Sequence, residues 1–86
     1  MTEVQRPFQE ALAARLRHAE RSDGSFVEIE AGELHRDVGG YPGPDHRMPV
    51  CCLVMTREMR TGDRVVSSPP KGKGASLTIR YRLPRP

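Results

Sequence analysis

The residues best suited to binding chemistry lie in the last 23 positions of the chain. This segment contains no acidic residue, and its basic residues are Arg64, Lys71, Lys73, Arg80, Arg82 and Arg85. A guanidinium group binds phosphate through two parallel hydrogen bonds, and an ammonium group binds it as a mobile point charge. A basic segment without acids is typical of a surface that binds a polyanion, most often nucleic acid.

The same segment has the pattern of a β-hairpin over about residues 64–83. Residues 64–68 form a first strand (β2) and residues 75–83 a return strand (β3), joined by a tip rich in Pro and Gly that carries Lys71 and Lys73. The return strand alternates strictly, with Leu77, Ile79, Tyr81 and Leu83 on one face and Thr78, Arg80 and Arg82 on the other. Such alternation indicates a half-buried strand with its basic residues in solvent.

At the tip, glycines allow close approach to phosphate. Alternatively, the turn needs glycine, and the lysines prevent association of strand edges.

Three helices and one strand are predicted before the hairpin. Apolar residues at steps of three or four indicate a first helix (α1) over about residues 6–21. A β-rich run at 26–30 predicts a strand (β1), and residues 31–38 predict a second helix (α2) that ends at two glycines. After a loop at 39–48, a third helix (α3) is expected from about Pro49, which suits a first-turn position, to about Arg60.

This order of elements resembles that of a winged helix-turn-helix domain. The resemblance implies one α+β domain over residues 1–86, a winged helix with the order α1-β1-α2-α3-β2-β3 and a small antiparallel sheet. In that family the first strand pairs with the hairpin, the hairpin is the wing, and α2 and α3 form the helix-turn-helix. One departure is the Pro/Gly-rich connection at 39–48, which is longer than the usual turn of about three or four residues.

A helical wheel separates two faces of α3. At 100° per residue, the inner arc holds Cys51, Cys52, Val54, Met55 and Met59, and the outer arc holds Leu53, Thr56, Arg57 and Arg60. The winged-helix resemblance implies that Thr56, Arg57 and Arg60 would face the major groove, with His46 and Arg47 at the start of the helix. Arg suits bidentate contacts to guanine or phosphate. Alternatively, the two helical arginines only solvate an exposed face and stabilise the helix C-terminus.

The remaining reactive residues do not predict a catalytic or metal site. Cys51 and Cys52 are adjacent, so on a helix they diverge by about 100° and cannot share an ion. We expect two buried apolar side chains instead. His35, Asp45 and His46 match no zinc spacing, and no nucleophile has an evident base. The expectation is a protein that is not an enzyme and that has neither a metal nor a cofactor.

Composition sets the scale of the domain. Only 36% of the residues are apolar, and the four aromatic residues are Phe8, Phe26, Tyr41 and Tyr81, so the core must be thin. No 18-residue apolar run predicts a membrane span, and the N-terminus lacks the apolar region of a secretory signal. Two adjacent cysteines form no disulfide framework, which favours a cytoplasmic protein. A monomer or a homodimer is expected.

Together these patterns predict a nucleic-acid-binding protein, with duplex DNA favoured over RNA. Lys71, Lys73, Arg80 and Arg82 would contact the phosphate backbone, and the basic residues of α3 would contact backbone or bases. A transcriptional regulator or a component of a DNA-processing assembly would fit. The alternative is a protein–protein interaction module whose patch is Leu53, Tyr41 and the Pro-rich loop. Tyr41 itself either stacks on a base or partner, or covers the open end of the core.

Overall fold

Three α-helices and three β-strands follow one another in the predicted order, which confirms an α+β fold. A computed structural model describes residues 2–41, 43, 47–69 and 74–85. The elements are α1 (Thr2–Arg21), β1 (Phe26–Glu30), α2 (Ala31–Val38), α3 (Met48–Arg57), β2 (Arg64–Ser67) and β3 (Thr78–Arg82). The order and the sheet are compatible with a winged helix. Among the helices of the described residues, none is both long enough and apolar enough to span a bilayer.

The strands form one antiparallel sheet with β3 in the centre. Its order is β1-β3-β2, so the first strand pairs with the return strand of the hairpin, as expected. Ile79 lies opposite Ile29 on one side and Val65 on the other, and a register shift interrupts the β2 pairing between Val65 and Ser67. Because residues directly opposite each other share a face, this register fixes which side chains point away from the helices.

The helices cover one face of the sheet and form the core with it. The predicted alternation of the return strand is confirmed, since its apolar residues are at most 5% exposed: Leu77, Ile79, Tyr81 and Leu83. From α1, Phe8, Leu12 and Leu16 are buried at the predicted helical spacing. The hydroxyl of Tyr81 donates a 2.7 Å hydrogen bond to the carbonyl oxygen of Met55. This bond ties the central strand to the last turn of α3, where carbonyls lack helical partners.

The third helix ends at Arg57, earlier than the predicted end near Arg60. The backbone N–H of Arg60 donates to the Asp63 carboxylate (2.8 Å), and the Asp63 N–H donates to the Arg60 carbonyl (2.9 Å). Gly62 has a positive φ of 97° within this turn. Arg60 therefore belongs to the turn before β2 and not to the exposed face of α3.

The central strand is also shorter than predicted, because it begins at Thr78. The preceding residues pair with the start of α2 instead of with a neighbouring strand. The N–H of Ala31 donates to the Leu77 carbonyl (2.8 Å) and the N–H of Gly32 to the Ala75 carbonyl (2.9 Å). A Cβ added at Gly32 would lie 3.2 Å from Cβ of Ala75, so the close approach there suits glycine.

Candidate nucleic-acid interface

Arginines from two strands share the face of the sheet that points away from the helices. Arg80 lies directly between Glu28 on β1 and Arg64 on β2, and Arg82 lies opposite Phe26. Arg80 and Arg82 are two residues apart, so both side chains point to the same side. We call the face formed by Phe26, Glu28, Arg64, Arg80 and Arg82 the open face. The prediction that Arg80 and Arg82 share one side of the return strand is confirmed.

The arginines of the open face differ in how far their charge is neutralised. Arg80 donates to Oε2 of Glu28 from Nε (3.0 Å) and Nη2 (2.7 Å), and its guanidinium carbon lies 4.5 Å from the ring centre of Phe26. Arg64 and Arg82 are exposed and make no ion pair with any residue that the structure describes. The positive charge available to an anion therefore comes mainly from Arg64 and Arg82.

A shallow pocket continues this basic surface beyond the end of β3. Its volume is about 400 Å³, and its lining residues are Arg60, Thr61, Arg82, Pro84 and Arg85. Arg60 is about half exposed and lies 3.6 Å from the Glu58 carboxylate. Arg82 belongs to both the pocket and the open face. The two surfaces are thus continuous, and Arg60, Arg64 and Arg82 form a single group of accessible cations.

The buried carboxylate of Asp63 holds this region together. Its side chain is 0% exposed and accepts hydrogen bonds from the N–H groups of Arg60 (2.8 Å) and Arg82 (2.7 Å). It also accepts two contacts from Nη1 of Arg85, at 2.9 and 2.8 Å. Burial by itself would raise the pKa of Asp63, but the bonds from Arg82, Arg85 and Arg60 together outweigh it and lower that pKa. Asp63 thereby fixes the turn before β2 against the end of β3.

Arg85 does not add an accessible charge to the surface, although it belongs to the basic C-terminal segment. Its side chain is only 11% exposed. Besides Asp63, it donates from Nη2 to the carbonyl oxygen (2.8 Å) and the carboxylate (3.2 Å) of Glu58. The guanidinium of Arg85 therefore has a structural role.

Apart from Arg60, the residues predicted from α3 do not belong to this surface. Arg57 lines a separate groove between α1 and α3. The hydroxyl of Thr56 donates 2.9 Å to the Cys52 carbonyl within its own helix. Arg47 precedes the helix, and its backbone N–H donates to Nε2 of His35. Of the eight predicted residues, Arg60, Arg80 and Arg82 belong to the surface described above, and Lys71 and Lys73 lie outside the described residues.

The two cysteines are buried, as predicted. The thiols lie 3.5 Å from carbonyl oxygens, Cys51 from that of Ala31 and Cys52 from that of Gly74. Burial raises the pKa of Cys51 to about 12. Within residues 2–41, 43, 47–69 and 74–85, no three His, Cys, Asp or Glu side chains come together in a way that could hold a metal ion.

Of the two interpretations of Tyr41, the packing favours the structural one. Its ring lies 5.5 Å from the ring of buried His35 and packs against the core. The guanidinium of Arg36 lies 5.6 Å from the centre of the same ring. The Tyr41 ring therefore already packs against neighbouring side chains, and it covers one end of the core.

Sequence reasoning missed Phe26 and Asp63 as parts of this site. The signal for Phe26 was present, because Phe26, Glu28 and Glu30 alternate with Val27 and Ile29 and therefore belong to the face opposite the core. Asp63 gave no comparable signal, since its partners Arg82 and Arg85 are 19 and 22 residues away in the sequence. Comparison with protein-family models, with curated proteins and with solved structures gives no match to this chain.

Proposed function

We propose that this chain is a nucleic-acid-binding domain of winged-helix type whose open face and adjoining pocket contact the phosphate backbone. The observation that carries the proposal is the contiguity of Arg60, Arg64 and Arg82 on one surface, where Arg64 and Arg82 have no acidic partner in the described part of the chain. Arg is well suited to bidentate phosphate contacts, and several neighbouring arginines on one surface suit a polyanion with regularly spaced phosphates.

The order of the elements and the three-stranded antiparallel sheet support the winged-helix relation. In that arrangement β2 and β3 are the two strands of the wing. Lys71 and Lys73 belong to its tip by sequence and would extend the phosphate contacts beyond the strands. The proposed activity is binding, within a transcriptional regulator or a DNA-processing assembly.

The surface of α3 shifts the proposed contact from the helix towards the sheet. Its exposed side chains within Met48–Arg57 are Pro49, Thr56 and Arg57, and Val50 and Leu53 are half-buried. A helix that reads bases in the major groove needs several polar side chains on its outer face. The third helix exposes only two polar side chains, Thr56 and Arg57, so the arginines of the sheet are the primary contacts of the proposal. The preference for duplex DNA remains a prediction.

Salt dependence of binding tests the proposal. With one phosphate contact each from Arg60, Arg64 and Arg82 and one from the tip lysines, about four phosphate contacts predict a slope of log K against log salt of about −2.8 on single strands and about −3.6 on duplex. Raising the salt from about 50 to about 200 mM should then weaken binding by about 50- to 150-fold. The measurement is a fluorescence-anisotropy titration with random single-stranded and duplex oligonucleotides.

Charge variants locate the contact. The pair Arg64→Gln and Arg82→Gln should reduce the salt slope by about half, since two of about four contacts are lost. The matched control is Arg6→Gln with Arg21→Gln, which removes the same charge from exposed positions on α1. Replacing Lys71 and Lys73 by Glu should reduce retention on a polyanion column. Equal effects of the Arg64/Arg82 pair and the control pair would contradict the proposed location. Unchanged retention of all variants would favour the alternative of a protein–protein interaction module.

A further inference from the structure

The open face carries a half-exposed aromatic ring among its arginines. Among the large hydrophobic residues that the structure describes, Phe26 is the most exposed, at 50%. It begins β1 and lies directly opposite Arg82 on the central strand. The exposed part of this ring offers apolar surface that a binding partner can bury.

The ring is held in place by a fixed cation. The guanidinium of Arg80 lies 4.5 Å from the ring centre, and Glu28 fixes that guanidinium through two hydrogen bonds to one carboxylate oxygen. Glu28, Arg80 and Phe26 therefore form a preorganised group, which costs little entropy to order when a ligand binds. Nucleobases stack on aromatic rings and on guanidinium planes of this kind.

We infer that the open face binds single-stranded nucleic acid, with an unpaired base stacked on the group formed by Phe26 and Arg80. This inference rests on the proposed function and specifies the form of its partner. Opposite residues on neighbouring strands have Cβ atoms about 5 Å apart, so the phosphates beside a base on Phe26 lie within reach of the long Arg82 side chain. Arg64, which lies opposite Arg80, adds a further cation on the same face for the next phosphates of the strand.

Duplex fits this surface less well. A base inside a duplex is stacked on both sides and offers no free face to a protein ring, whereas every base of a single strand has one available. The stacking contact is insensitive to base identity, so we expect little sequence preference.

The test compares oligomers of equal charge with the wild-type protein. An oligothymidine of about 12 residues and an abasic oligomer of the same length carry the same phosphates, and only the first carries bases. The oligothymidine should bind about 5- to 150-fold more tightly than the abasic oligomer, and more tightly than its own duplex with oligoadenosine. Equal affinity for the oligothymidine and the abasic oligomer, or tighter binding of the duplex, would overturn the inference.

Variants then assign the effect to the ring. Phe26→Leu keeps an apolar side chain but should abolish the difference between the oligothymidine and the abasic oligomer. The matched control is Val65→Ala, which removes an exposed apolar group (45% exposed) from the other side of the sheet and should preserve the difference. If both oligomers bind and respond to Arg64→Gln and Arg82→Gln but not to Phe26→Leu, the stacking inference fails while the proposed function stands. If no oligonucleotide binds, both fail.

Discussion

Replacing Asp63 with Asn should destabilise the fold strongly, because this carboxylate holds the basic region in place. The side chain is 0% exposed and pairs with Arg85, which is 11% exposed. Breaking a buried ion pair by removing one partner costs about 3–5 kcal/mol. We expect about 3 kcal/mol, the lower end, because Arg85 keeps its contacts to Glu58. For 86 residues, a typical unfolding free energy is about 4–13 kcal/mol, so the loss is a large share.

Urea unfolding followed by circular dichroism measures this loss. With an m-value of about 1.5 kcal/mol/M, the midpoint should fall by about 2 M. The matched control is Asp37→Asn, which breaks an exposed pair with Arg15 and should cost less than about 1 kcal/mol. Equal losses for the two variants, or a loss below about 1 kcal/mol for Asp63→Asn, would refute the structural role assigned to Asp63.

Acid titration gives an independent readout of the same carboxylate. Because the pKa of Asp63 in the folded protein lies below its ordinary value of 3.8, the unfolded chain binds more protons between the two values. The stability from Asp63 is therefore fully present above pH 3.8 and is lost as the pH falls through the lower, folded pKa. The wild type should lose more stability over this acid range than Asp63→Asn. Parallel pH profiles for the two proteins would contradict the lowered pKa.

Three further predictions concern the supports of the sheet and the core. Tyr81→Phe leaves the carbonyl of Met55 without its partner and should cost about 1–3 kcal/mol in urea unfolding; a neutral result would contradict a stabilising bond. Gly62→Ala places a side chain at φ 97° and a Cβ 2.6 Å from Cδ of Arg82. It should cost about 1–3 kcal/mol and also weaken oligonucleotide binding, whereas an unchanged affinity would argue against a role for Arg82. The thiols of Cys51 and Cys52 should resist an aromatic disulfide reagent until the chain unfolds, because both are at most 1% exposed and the pKa of Cys51 is about 12; rapid reaction in the native state would contradict their burial.

The elements could be predicted because their signals are local. The alternation from Leu77 to Leu83 and the helical spacing of Phe8, Leu12 and Leu16 reflect burial on one face, which sequence records directly. The ends of the elements depend on individual hydrogen bonds, some of them to distant residues, and their predicted positions were less accurate. The third helix ends early where Asp63 forms its turn, and the central strand begins late because Ala75 and Leu77 bond to the start of α2.

The site could be predicted only in part for the same reason. The arrangement of Arg80 and Arg82 on one face follows from strand periodicity alone. The pairing of Arg80 with Glu28 spans 52 residues and that of Arg85 with Asp63 spans 22, so counting charges along the chain could not reveal which arginines are neutralised. The expected contribution of α3 assumed a longer helix with Arg60 on its outer face, and the turn at Asp63 removes Arg60 from it.

Mapping the contact surface by nuclear magnetic resonance tests the central claim most directly. A ¹⁵N-labelled protein titrated with a short oligothymidine should show its largest shifts at the backbone amides of Phe26, Arg64 and Arg82 and at the Nε–H groups of Arg64 and Arg82. The amides in the middle of α1, on the far side of the sheet, should change little. Absence of shifts, or shifts confined to α1 and α2, would contradict nucleic-acid binding by the open face.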